Sequence, residues 1–122
     1  KPIKSHLMST LFQIHAPMNT LKAMVREMAP LWHSGDSILL MAETTGYITW
    51  LKAYIDELNY DEELGARIDN IASIYVLEDD VNQLNESARE NTDFSKVNLI
   101  NDKQWVELTQ KVDRVITLNS LS

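Results

Sequence analysis

Val97-Asn-Leu-Ile100, then Asn101-Asp-Lys-Gln-Trp-Val-Glu-Leu-Thr-Gln-Lys-Val-Asp113, then Arg114-Val-Ile-Thr-Leu118: these three consecutive pieces decide the fold. The first is a short apolar run. The second is amphipathic, opens on a capping residue (Asn101 or Asp102), and is expected to turn Trp105, Val106, Leu108 and Val112 inward. The third is β-branched and reads as a strand. Two parallel strands need a crossover of about a dozen residues, usually a helix, and the middle piece has that length. The unit is strand–helix–strand.

The same alternation runs back to the N-terminus. Met8–Ile14 reads as a first strand, left through His15, Ala16, Pro17 and Met18. Asn19 or Thr20 is expected to cap a helix whose stripe is Leu21, Met24, Val25, Met28 and Leu31. Pro30 should end or kink it near Ala29. Met18, Met24 and Met28 lie in or beside that helix, either as adaptable core filling or as a subunit contact. His33-Ser34-Gly35-Asp36 is a turn, and Ser37–Met41 is a continuous apolar run of the kind covered on both faces. Glu43, Thr44 and Thr45 open a helix with Ile48, Leu51, Ile55 and Leu58 as its stripe, Trp50 and Tyr54 alongside. Asn59–Asn70 is acidic and irregular, a loop or short extra turn. Ile71–Leu77 is a third buried strand. Asp79 or Asp80 then caps a helix running to Ala88 through Val81 and Leu84, and Arg89–Lys96 connects to the closing unit. The expected architecture is α/β: three layers, a mostly parallel five-stranded sheet, helices on both faces.

The chain has 122 residues, enough for one domain with a real core. Lys1–Leu7 reads as an expression-derived or disordered extension ahead of a natural start at Met8, leaving residues 8–122 as a single domain. No apolar run approaches a bilayer span and no signal peptide is evident, so a cytoplasmic setting without membrane contact is expected. The chain contains no cysteine, which excludes disulfides, thiolate metal sites and a cysteine nucleophile. The net charge of −7 includes acids crowded at Asp56, Glu57, Asp61, Glu62 and Glu63 and again at Glu78, Asp79 and Asp80. Such a surface repels phosphate backbones, so no direct nucleic-acid binding is expected.

Site chemistry finds little purchase. With three glycines, the chain has neither a P-loop nor a dinucleotide fingerprint. His6, His15 and His33 lack metal-motif spacing, and Ser9, Ser34 and Ser37 lack a nucleophile-elbow context. Glu78-Asp79-Asp80 follows a central strand as a magnesium and phosphoacceptor site would, but the expected partners are replaced by His15-Ala16-Pro17 and Asn119-Ser120; helix capping is the expected role. Thr45-Gly46-Tyr47 sits where open α/β sheets bind ligands, a weak signal. No catalytic, cofactor-binding or metal residue is nominated. The remaining alternatives are a stand-alone enzyme or small-ligand-binding domain using His15, Thr44 and Glu78–Asp80, and a receiver-like module.

Four stretches resemble the TusB/DsrH family of the DsrE/DsrF/DsrH fold group. They are Met8–Leu11 up to Pro17, Ser34–Met41 followed by Gly46-Tyr47, Ile74–Val81, and Val97–Ile100 with Trp105–Thr109 and Asp113–Val115. Their order and the total length match; the acidic insertion at Asn59–Asn70 and the ending Leu118–Ser122 depart. The resemblance implies a DsrEFH-like fold. It also implies a subunit of a TusB–TusC–TusD-like heterohexamer, a dimer of heterotrimers passing persulfide sulfur toward 2-thiouridine at the tRNA wobble base. A DsrEFH-like sulfur-oxidation complex is the alternative within the family. Family members can carry a cysteine on the first helix, near Met24–Met28 here, but Met24, Val25 and Met28 offer no thiol, and a thioether cannot accept a persulfide sulfur. The implied role is therefore non-catalytic, with TusC-like and TusD-like partners and a homo-oligomer as the form of the isolated chain.

Overall fold

The computed structural model describes residues 9–61, 65 and 67–119. The N-terminal extension, Met8, Glu62, Glu63, Leu64 and Ala66 of the acidic insertion, and Ser120–Ser122 lie outside the described residues. Five strands form one all-parallel sheet in the order β4-β3-β2-β1-β5. In chain order the elements are β1 (Thr10–His15), α1 (Met18–Met28), β2 (Ser37–Leu40), α2 (Ile48–Tyr60), β3 (Ile74–Leu77), α3 (Glu78–Gln83), α4 (Glu86–Glu90), β4 (Asn98–Ile100), α5 (Asp102–Lys111) and β5 (Arg114–Asn119). The chain steps from β1 outward to β4, then returns through α5 to place β5 on the far side of β1.

That return puts helices on both faces. Alternate strand residues Phe12, Ile14, Ile38, Leu40, Ile74 and Val76 face α1 and α2, meeting Leu21, Val25, Met28, Ile48, Leu51, Ile55 and Leu58. Leu11, Leu39, Leu77 and Ile100 point the other way and pack under Trp105 and Leu108 of α5 and Val112 at its C-cap. The central strands are therefore apolar at consecutive positions, as a two-sided burial requires. Of the methionines in the first helix, Met28 is fully buried, Met24 packs against the core, and Met18 is exposed.

Several local expectations are corrected. Neither Asn19 nor Thr20 caps α1; the helix starts earlier, with Pro17 at its N-cap, and the Thr20 hydroxyl donates to the Pro17 carbonyl. Leu31 is exposed, because Pro30 converts the helix end into a 3-10 turn whose tighter winding rotates Leu31 off the stripe. A 3-10 turn over Ala42–Tyr47 precedes α2. Neither Asp79 nor Asp80 caps α3, which springs directly from β3 with Leu77 at its N-cap. The expected single helix to Ala88 breaks at Leu84-Asn85, where the Asn85 side chain accepts from the Ala88 N–H and starts α4. Asn101 does cap α5, in a reciprocal capping box with Gln104. Val106 is 55% exposed rather than inward, because Trp105, Leu108 and Val112 already complete the inner stripe and Val106 lies about 100° around the helix from Trp105.

At the N-terminal edge of the sheet, Asp36 is fully buried. Its carboxylate accepts from the N–H of Thr10 at 2.9 Å and of His33 at 2.8 Å, and its carbonyl accepts from Ala72. Gly35, at φ +95°, turns the chain into that position, and its N–H donates to the Asn70 carbonyl. Removing the carboxylate leaves the Thr10 and His33 N–H groups without their acceptor. Asp36→Ala is expected to cost about 3 kcal/mol in urea unfolding, and Asp36→Asn, which keeps one acceptor oxygen, less.

Candidate functional site

Parallel α/β sheets bind ligands outside the carboxyl ends of their strands. Here that edge carries His15 at the end of β1, the Ala42–Tyr47 turn after β2 and Glu78–Asp80 after β3. A cleft of about 480 Å³ opens between that turn and the α3–α4 corner, lined by Ala42, Glu43, Gly46, Tyr47, Asp80, Gln83, Leu84, Asn85 and Ala88. Gly46 and Leu84 both line it, and a Cβ placed on Gly46 would lie in ordinary contact with the Leu84 methyls, 3.4 Å from the nearer one.

The polar groups at this edge are engaged in holding the fold. Thr44 is fully buried; its hydroxyl accepts from the Ala16 N–H at 2.9 Å and donates to the Ala16 carbonyl at 3.0 Å. It fastens the exit of β1 to the exit of β2. Thr45 donates to the Leu40 carbonyl. Asp80 accepts from the Ala42 N–H at 2.9 Å. That bond restrains Ala42, which sits at φ +53°, a left-handed conformation costing a non-glycine residue roughly 1 kcal/mol. Asp80 thus latches the turn to α3. Glu78 and Asp79 are exposed in the first turn of α3, where their charge complements the positive helix end.

The remaining candidates are dispersed. His15 Nε2 lies 3.4 Å from the Glu43 carboxylate at one end of the sheet. His33 lies at the opposite end, its Nδ1 4.0 Å from Asp36. Ser9 and Ser34 are also at that opposite end, donating to Asp113 and Asp69 respectively, and Ser37 is buried at the start of β2. None of these three serines is therefore brought to His15, and no group of three or more metal-ligating side chains is found among the described residues. His6 lies outside them. No helix among the described residues is long and apolar enough to cross a membrane.

A second surface was not foreseen. Gln13 bridges Trp105 and Thr117: its Oε1 accepts from the indole N–H at 2.7 Å, and its amide donates to the Thr117 hydroxyl at 3.0 Å. These bonds set α5 at a fixed distance from β5. Between them runs an open apolar groove lined by Gln13, Trp105, Val106, Thr109 and Val115. Its only sequence signal was Val106, one apolar residue too many for the inner stripe.

Comparison with protein-family models finds no match to this chain, and comparison with curated proteins finds none.

The cleft is lined by two carboxylates and by no lysine or arginine, so it repels phosphates. Inorganic phosphate, nucleotides and acetyl phosphate with magnesium are expected to leave the melting temperature unchanged and to add no mass to the protein. Thr44→Val is expected to lower stability by about 2 kcal/mol, since both polar groups of buried Ala16 lose their partner.

Proposed function

We propose that this chain is a non-catalytic structural subunit of a cytoplasmic TusBCD-like sulfur-relay complex that supports 2-thiouridine formation at the tRNA wobble position. The observation that carries the reading is the ordered set of four family-like stretches. Each coincides with a strand and its neighbouring turn or helix: β1 with its exit, the Gly35-Asp36 turn with β2, β3 with the start of α3, and β4–α5–β5. Their distinctive residues hold the domain's frame. Asp36 ties β1 to the turn before β2, Asp80 latches the turn after β2, and Trp105 is bonded to Gln13. The chain has no thiol, so any relayed sulfur resides on a partner's cysteine. The partners are TusC-like and TusD-like chains of similar fold, joined as a dimer of heterotrimers. The acidic surface fits a chain that leaves the contact with tRNA to other subunits.

A second reading, a stand-alone domain binding a small uncharged or cationic ligand, is favoured by the cleft beside Gly46. The two separate cleanly. Co-expression with TusC-like and TusD-like chains is expected to yield one complex on size exclusion at micromolar concentration, and its persulfide label should sit on the TusD-like chain. Failure to form any complex would overturn the relay reading, and a melting shift with an uncharged or cationic metabolite would favour the second.

A further inference from the structure

The two edges of the sheet are not alike. β4 has only three residues, and a short edge is a poor template for another strand. β5 has six residues, Arg-Val-Ile-Thr-Leu-Asn, and pairs only with β1 among the described residues. It contains neither lysine nor proline, and its one charge, Arg114, stands at its first position. The usual devices that blunt an edge are missing.

The direction of its free groups follows from one bond. The Arg114 N–H donates to the Ser9 carbonyl. In a parallel ladder, alternate residues of a strand bond to the same neighbour, so Arg114, Ile116 and Leu118 address β1. The N–H and C=O groups of Val115, Thr117 and Asn119 point outward. Beside this open edge, on the same face as Val115, lies the apolar groove of about 400 Å³. Val106 and Val115 contribute to it, 55% and 38% exposed.

We infer that β5 pairs antiparallel with β5 of a second copy of this chain, joining two sheets edge to edge across a two-fold axis. With Thr117 opposite the second copy's Thr117, Val115 faces Asn119, and the outward backbone groups of all three residues are bonded, Thr117 to Thr117 and Val115 to Asn119. The two-fold axis then stands perpendicular to the joined sheet, so both grooves open on the same face, one on either side of the axis. Charge selects a second copy over a basic partner. Between Asp102 and Asn119 the chain carries Lys103, Lys111 and Arg114 against Asp102, Glu107 and Asp113, a balanced set. The excess acid is on α2, α3 and α4, where a basic partner would be drawn instead. This inference stands independently of the sulfur-relay reading.

The isolated chain is expected to sediment as a dimer at high micromolar concentration. Thr117→Pro removes an outward N–H that makes no bond within the sheet, and Val115→Lys places a charge in the groove; both are expected to be monomeric with native circular dichroism. The cysteine-free background gives a third readout. Thr117→Cys is expected to form a disulfide-linked dimer on mild oxidation, and it decides the matter should either other variant fail to fold. A wild-type monomer at all concentrations overturns the inference. So does a dimer that survives both folded variants, or one in which Thr117→Cys does not cross-link.

Discussion

The Asp36 carboxylate sits without solvent contact at the lower edge of the sheet, held by the N–H groups of Thr10 and His33. A carboxylate in that position is tolerated because its oxygens are hydrogen-bonded and its desolvation is offset by charged hydrogen bonds. Through it the start of β1, the turn before β2 and, by the Asp36 carbonyl, the approach to β3 are held in one register. Parallel strands have no hairpin to set their register. In this chain the buried acid contributes that missing constraint, and the two-sided burial of Leu11, Phe12, Ile38 and Leu39 follows from it.

The opposite edge is fixed by different chemistry. Thr44 closes β1 onto β2 with a hydroxyl that both donates and accepts, and Asp80 restrains the left-handed Ala42. Side chains that could have converged on a ligand are thereby committed to backbone groups. The polar side chains Thr44, Thr45 and Asp80 are spent on the backbone where α/β enzymes carry their sites, and β5 is the longer of the two edge strands among the described residues.

The fold was legible because its signal is periodic. Leu21, Val25 and Met28, then Ile48, Leu51, Ile55 and Leu58, repeat at helical spacing, and the runs Ser37–Leu40 and Ile74–Leu77 are apolar at consecutive positions. Capping was less legible. Of the two cap candidates Asn101 and Asp102, the structure selects Asn101, whose partner Gln104 is local; Asp79 and Asp80 are expected to cap in the same way, yet Asp80 bonds to Ala42, a residue distant in sequence. Asp36 was visible only as a turn residue, since nothing local announces that its carboxylate reaches Thr10.

The sequence by itself determined the alternation of strands and helices, the parallel class of the sheet and the absence of any thiol, because each depends on residue type and short-range spacing. Tertiary structure alone decided the strand order, the side of the sheet on which α5 packs and the exposure of Val106. It also decided which backbone groups of β5 point away from β1. Those properties depend on which distant segments meet, and in a parallel sheet every such meeting is made across a long crossover rather than between neighbours in the chain.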